Sequence, residues 1–254
     1  MELKEKVCVV TGGASGLGRA TVEGFIREGA KVAIFDLNVD EGNALADSLG
    51  ANVIFCTVNV SDDDSISAGI DATMSAFGAI HVCVNCAGRG GGATKTLGRN
   101  GRFPMDLFRD VININLVGTF SVLSQAAEKM AENDADKNGE RGVIINTSSI
   151  AAFEGQKGQV AYAASKAALA GITLPIARDL SYYGIRIVTI APGLFETPIL
   201  KSLSPEAKAS LSKSIPNPAR LGDPEEFSAL ANHIVTNSYI NGETIRLDGA
   251  LRMS

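Results

Sequence analysis

The chain has no tryptophan, only two histidines, His81 and His233, and four cysteines in 254 residues. So little histidine leaves scant material for a Ser-His-Asp hydrolase or a histidine-rich metal site. Cys8, Cys56, Cys83 and Cys86 all lie in or beside apolar, strand-like runs. Cys83 and Cys86 have CxxC spacing, but zinc needs about two further ligands, and the sequence has no second CxxC or HxxxH. A redox CxxC usually opens a helix, whereas this one closes a strand. The thiols are therefore read as buried and free, no metal is expected, and the setting is read as reducing and intracellular. A basic block is also missing, and the net charge is −5, so neither nucleic acid nor an anionic membrane is an expected partner. No apolar run approaches the roughly 20 residues of a membrane helix. Met1–Lys6 is short and charged and leads directly into apolar Val7–Val10. It leaves no room for a targeting peptide, and a cytoplasmic protein is expected.

What is present is an ordinary globular balance, 45% hydrophobic and 20% charged. Val- and Ile-rich runs at Lys6–Thr11, Lys31–Asp36, Asn52–Asn59, His81–Asn85, Gly142–Thr147, Ile185–Ala191 and Glu243–Leu247 read as strands. Most are continuously apolar, as parallel strands covered on both faces must be. Between them, Gly18–Glu28, Val39–Leu49, Asp64–Phe77, Met105–Ala131 and Ala161–Tyr183 have helical character and crossover length. The expected architecture is one α/β domain spanning 1–254, a doubly wound, Rossmann-type parallel sheet flanked by helices. Arg89–Arg102 reads as a long Gly-rich basic loop, Asn133–Arg141 as a polar excursion, and Leu194–Arg220 as a mobile lid.

The first strand runs into Thr11-Gly12-Gly13-Ala14-Ser15-Gly16-Leu17-Gly18. Glycines at this spacing make a tight turn, let backbone approach a pyrophosphate, and let the helix pack near the strand. The helix N-terminus then offers free N–H groups to phosphate. Because the loop lies between a strand and a helix, it is a strong dinucleotide signal. It lacks the Gly-Lys-Ser/Thr ending of a P-loop. Asp36 ends the second strand, where a carboxylate accepts bonds from ribose hydroxyls and repels a 2′-phosphate. Ser15 and Leu37 beside it are neutral, so the expected cofactor is NAD rather than NADP.

Tyr162-Ala-Ala-Ser-Lys166 places a phenol and an ammonium on one helix face. A nearby cation favours phenolate, which would bring the tyrosine toward the pKa range of a general acid/base. Ser149, just after the strand Gly142–Thr147, is able to face the same cleft.

With these pieces, Asn85-Cys86-Ala87-Gly88, Asn113-Ile114-Asn115, Pro192-Gly193 and Asp248-Gly249, the chain resembles the short-chain dehydrogenase/reductase family over essentially its whole length. Gly142–Thr147, Ala151–Gln156, Leu174–Leu180, Ile190–Phe195 and Ile245–Ala250 further resemble one group within it, the type 2 3-hydroxyacyl-CoA dehydrogenases, also called type 10 17β-hydroxysteroid dehydrogenases. Two residues depart from the family pattern: Cys86 stands where a second Asn is usual, and Asn59 where an Asp usually meets the adenine amino group.

The resemblance implies that Tyr162 exchanges the proton with the substrate oxygen. Lys166 lowers its pKa and bonds the nicotinamide ribose, Ser149 holds the substrate oxygen, and Asn115 holds a relay water. It assigns to the cofactor Gly12, Ser15, Gly16, Leu17, Gly18, Asp36, Asn59, Val60, Asn85, Ala87 and Gly88. Pro192, Gly193, Phe195 and Thr197 are assigned there too, with Thr197 at the carboxamide. Phe153, Gln156, Leu194, Phe195 and parts of Leu200–Leu211 are expected around the substrate, Gln156 donating to a carbonyl. Lys95, Arg99 and Arg102 could meet coenzyme A phosphates. The implied reaction is oxidation of a 3-hydroxyacyl-CoA with NAD+, with fatty acid metabolism as its setting. The alternatives are a hydroxysteroid or other hydrophobic secondary alcohol as substrate, or a non-catalytic NAD-binding scaffold. Glu196, where relatives usually have glycine, puts their substrate range in doubt here. The resemblance also implies a homotetramer, and a mitochondrial matrix address as the alternative to cytoplasm.

Overall fold

Seven Val- and Ile-rich runs form one parallel sheet in the computed structural model, which describes residues 1–99, 101–201 and 204–253. The strands are β1 (Val7–Thr11), β2 (Lys31–Asp36), β3 (Val53–Thr57), β4 (Val82–Asn85), β5 (Gly142–Thr147), β6 (Ile185–Pro192) and β7 (Thr244–Leu247). Their spatial order is β3-β2-β1-β4-β5-β6-β7, so the chain works outward from β1 in one direction and then restarts beside it at β4. That reversal opens a crevice at the C-terminal ends of β1 and β4, where ligands bind in sheets of this kind.

Every residue of β1, β4, β5 and β6 is buried. Val10, Val84, Ile145 and Val188 pack on one side with Phe25 and Phe227. Val9, Cys83, Ile144 and Ile187 pack on the other with Ile66, Val122 and Met130. Two apolar faces explain the continuous rather than alternating strand pattern. Burying a side chain such as Phe25 contributes roughly 1.5–3 kcal/mol.

The first three helices, α1 (Gly16–Arg27), α2 (Val39–Leu49) and α3 (Asp63–Phe77), are the expected crossovers. The expected helix Met105–Ala131 is interrupted: α4 (Met105–Ile112) and α5 (Thr119–Ala131) are joined by a π-helical turn, Asn113–Gly118. Helix α6 (Val160–Leu180) ends in a 3-10 turn, Ser181–Tyr183. By length and composition the span Val160–Tyr183 could cross a membrane, although no such run was expected. It packs on β6, burying Leu169, Ile176 and Ala177.

The lid segment contains α7 (Pro198–Lys201) and α8 (Pro205–Lys213); Ser202 and Leu203 lie outside the described residues, as does Asn100 of the Gly-rich loop. That loop folds a small hairpin, Leu97–Gly98 against Gly101–Arg102. Neither α7 and α8 nor α9 (Pro224–Thr236) is among the helices read from the sequence. Asp223 and Glu226 cap α9 reciprocally and Pro224 opens its first turn. Gly24 of α1 lies so close to it that a Cβ there would be 2.1 Å from Ser228 Oγ.

Candidate active site

A cleft of about 610 Å³ runs along the C-terminal ends of β1, β2, β4, β5 and β6. It is lined by Gly12, Ser15, Gly16, Leu17, Gly18, Asp36, Asn59 and Val60 at one end. Ala87, Gly88, Ser149, Tyr162, Lys166, Pro192, Gly193, Phe195 and Thr197 continue the wall. Nearly all the residues expected around the cofactor therefore converge. Asn85 is the exception: it is buried beneath the cleft, its amide donating to Asn146 Oδ1 at 3.0 Å.

The glycine loop owes its shape to steric necessity. A Cβ on Gly18 would sit 2.2 Å from the carbonyl oxygen of Gly12, and one on Gly12 would sit 2.8 Å from Ala87 N. Gly12 and Gly16 adopt φ of 63° and 54°, the left-handed region that glycine enters freely. Asp36 braces this turn, its carboxylate accepting from Ala14 N and Asn38 N at 3.0 Å each. Thr197 closes over the other side, its Cγ2 lying 3.5 Å from where a Gly16 Cβ would be. This bare backbone cradle, ending in a carboxylate, fits a dinucleotide: phosphates against the loop, ribose hydroxyls against Asp36.

At the other end, α6 carries Tyr162 and Lys166 on one face. The Lys166 ammonium donates to Thr147 O at 2.7 Å and sits 5.7 Å from the Tyr162 ring centroid. Ser149 caps a short 3-10 turn, Ile150–Ala152, its hydroxyl accepting from Ala151 N at 3.1 Å and lying within reach of the Tyr162 phenol. Burial lowers the Lys166 pKa to about 8, an effect that neighbouring Cys86 partly opposes. Burial also raises the Tyr162 pKa, and the Ser149 hydroxyl offsets part of that. In the protein alone, burial thus opposes the lowering of the Tyr162 pKa expected from Lys166, whose ammonium lies close to the ring.

Asn115 is fully buried in the π turn. Its side chain accepts from Arg89 N at 2.8 Å and donates to Arg89 O and Ser165 Oγ at 3.0 Å each, fastening the Gly88–Arg89 loop to α6. Its main-chain carbonyl accepts from Thr119 Oγ1 at 2.9 Å.

On the substrate side the picture differs in part. Leu194 and Leu200 line the cleft and pack with Ile150, Ile215, Leu221 and Leu251. The Phe195 ring is buried beneath Gly222. Phe153 and Gln156 are exposed and do not line the cleft, and Gln156 N donates to Gln159 Oε1 at 3.0 Å. Glu196 does not line the cleft either and instead lines a separate depression beside the start of α9 with Asp223 and Glu226. All four cysteines are free. Burial pushes the Cys83 thiol up to about 12 and the Cys86 thiol up to about 11, which favours the protonated thiol at both.

Residues 6–208 match the family described as short chain dehydrogenase. The chain belongs to the short-chain dehydrogenase family. It is 51% identical over 253 residues to a Drosophila melanogaster 3-hydroxyacyl-CoA dehydrogenase type-2, covering 99% of each chain. A crystal structure of 3-hydroxyacyl-CoA dehydrogenase type-2 from Mycobacterium avium superposes with a TM-score of 0.95 at 43% identity, covering 100% of this chain and 99% of that one. A 3-ketoacyl-(acyl-carrier-protein) reductase from Brucella melitensis, solved with NADH, superposes with a TM-score of 0.87 at 27% identity, covering 99% of this chain and 100% of that one. The chain is an oxidoreductase of this family and binds a nicotinamide dinucleotide.

Proposed function

We propose that this dehydrogenase uses NAD+ to oxidise a 3-hydroxyacyl-CoA to the 3-ketoacyl-CoA. The observation that carries the reading is the convergence of Ser149, Tyr162 and Lys166 at one end of a cleft whose other end holds the Asp36 carboxylate. Of the cations lining the cleft, Arg89 pairs with Asp110 and Lys166 bonds Thr147 O. Asp36 and the scarcity of free positive charge favour NAD over its 2′-phosphorylated form. The full-length likeness to 3-hydroxyacyl-CoA dehydrogenases supports the acyl-CoA.

When bound, the oxidised nicotinamide would supply the hydride acceptor and a positive charge. Ser149 donates to the substrate oxygen and holds it as charge develops. Tyr162 takes the alcohol proton, with Lys166 nearby to support the phenolate. Asn115 holds the π turn against α6 and is the residue assigned to a relay water. Lys95, Arg99 and Arg102 on the Gly-rich loop are assigned to the coenzyme A phosphates. That loop is tied toward α6 by the bond from Thr94 N to Gly158 O, 3.1 Å.

The reading includes a homotetramer. Val117, Phe120, Val160 and Leu174 are exposed apolar residues on the helices from the π turn to α6, a surface suited to a second copy. Cytoplasm is the proposed location, with the mitochondrial matrix as the alternative. Following NADH at 340 nm tests the chemistry, with NAD+ or NADP+ against 3-hydroxybutyryl-CoA, its 2-methyl analogue, a 17β-hydroxysteroid and simple secondary alcohols. Turnover of the acyl-CoA with NAD+ is expected. Turnover of the steroid or alcohols alone would keep the chemistry and overturn the substrate.

A further inference from the structure

The catalytic Ser149 and Tyr162 are joined by a segment that leaves the sheet after β5 and returns as α6. It consists of the 3-10 turn Ile150–Ala152 and an irregular stretch through Gln159. Among the described residues, Glu154 is the one side chain of 150–159 that hydrogen-bonds outside the segment. Its partner is Arg246 of β7, which is distant in sequence and outside the cleft lining.

The contact is a two-pronged fork: Arg246 Nη1 donates to Glu154 Oε1 and Nη2 to Oε2, both at 2.8 Å. The guanidinium also lies 5.1 Å from the centroid of the Phe153 ring. Its third nitrogen, Nε, donates to Asp248 Oδ2 at 2.7 Å, and Nη2 donates to Leu251 O at 3.1 Å. Arg252 closes the network on Asp248 Oδ2 at 3.1 Å. Asp248 in turn abuts the cofactor side of the cleft, since a Cβ on Gly193 would meet Asp248 Cβ at 2.8 Å. Only about a quarter of either side chain of the fork is exposed. A planar fork of this kind fixes orientation as well as distance, which a lysine would not.

We propose that Arg246 is a positioning residue. By gripping Glu154 and stacking over Phe153, it fixes the segment between Ser149 and Tyr162 and thereby sets how the substrate is held for proton removal. The inference rests on the reading of Ser149 and Tyr162 as the chemical pair. Reactions that depend on alignment lose rate steeply with small displacements, so the effect should reach the substrate while sparing the dinucleotide loop on β1 and β2.

The test compares wild type, Arg246→Met, Arg246→Lys, Glu154→Gln and the Arg246→Met/Glu154→Gln double variant. The readouts are steady-state kinetics with 3-hydroxybutyryl-CoA, NADH affinity by fluorescence, and amide hydrogen exchange of the NADH-bound protein. Arg246→Met should lower kcat/KM about tenfold while NADH affinity stays within about twofold. Arg246→Lys should restore part of the loss, and the double variant should be no worse than Arg246→Met alone, as for two halves of one contact. Exchange should quicken in 149–160 and not in β1 or α1. Unchanged exchange in 149–160, or equal losses of substrate and NADH affinity, would overturn the proposal. Absence of wild-type turnover on the acyl-CoA would instead count against the substrate reading, and the exchange result would still decide the role of Arg246.

Discussion

The ammonium of Lys166, on α6, donates to the main-chain carbonyl of Thr147 at the end of β5, 2.7 Å away. This bond fixes the distance between the helix that carries the phenol and the strand end that leads to Ser149. It also holds a charged amine where solvent is excluded, which is why its pKa falls to about 8.

That shift has a thermodynamic sign. The folded state binds the Lys166 proton less tightly than the unfolded chain, whose lysine titrates near 10.5. The charged amine therefore costs stability below about pH 8, and the cost fades as pH rises toward the unfolded value. Lys166→Met removes the titrating group. Urea unfolding of both proteins should show the wild type gaining on the variant between about pH 7 and about pH 10. A difference that stays flat, or moves the other way, would refute buried charge at this position.

Tyr162→Phe keeps the ring and removes the proton carrier. Turnover should fall by about 10²–10⁴-fold, the usual contribution of general acid–base catalysis, with NADH affinity and melting temperature close to wild type. Ser149→Ala should cost about 10²–10³-fold, as for loss of one donor at a developing oxyanion. Near-normal turnover in Tyr162→Phe would remove it from the chemistry.

Gly18→Ala probes the dinucleotide loop. The added methyl would meet Gly12 O at 2.2 Å, and main chain must move to admit it. Overpacking of this kind costs about 1–3 kcal/mol. Thermal unfolding and NADH fluorescence titration should show a lowered melting temperature and weakened binding together. Tight NADH binding in this variant would show that the loop is not the phosphate cradle.

A fourth prediction concerns the far end of the sheet. Arg186, at the start of β6, pairs with Glu140 just before β5, and both are buried. Arg186 also donates to the main-chain carbonyls of Ile240 and Val235 at 2.7 and 3.0 Å. Glu140→Ala leaves that guanidinium buried without its counter-charge, a loss of about 3–5 kcal/mol. Chemical denaturation should show this, while kcat of the folded fraction stays near wild type. A large drop in kcat with unchanged stability would contradict this division of labour.

Much of this was legible from residue order. All seven strands are signalled by short Val/Ile runs bounded by turn residues, because a strand buried on both faces must be apolar throughout. The glycine loop and the Tyr162–Lys166 pair are legible because both depend on local spacing. Helix α9 has its own signal, Asp223-Pro224 followed by Glu226, but its sequence adjoins a Pro- and Ser-containing stretch that reads as lid. The π turn has no periodic signature: one extra residue per turn looks like a slightly blurred helix. Phe195 lines the cleft as expected, but the cover over its ring, Gly222, is a non-local contact. The exposed position of Gln156 likewise depends on how the 153–159 stretch is tethered, through a β7 residue that no local pattern connects to it. For Tyr162, the i,i+4 spacing accounts for the nearby ammonium, whereas the burial that opposes the phenolate depends on the whole fold.

The π turn at Asn113–Gly118 has one more consequence. A turn closed by longer-range hydrogen bonds holds roughly one residue more than an α-helical turn, which amounts to a phase slip of about 100° in where side chains point. Upstream, Val111 faces Phe103 and Ala161; downstream, Val122, Ala126 and Met130 face the sheet. One continuous rod thus behaves as two helices out of register, and Asn115 and Gly118 sit at the slip. Gly118 is pressed so tightly on the turn that follows β3 that a Cβ would lie 2.2 Å from Val60 O, at the Asn59–Val60 end of the cleft. Deleting a single residue here would restore a regular helix at the expense of rotating one half of the rod away from its partners, so the floor of the site is tuned by helical phase.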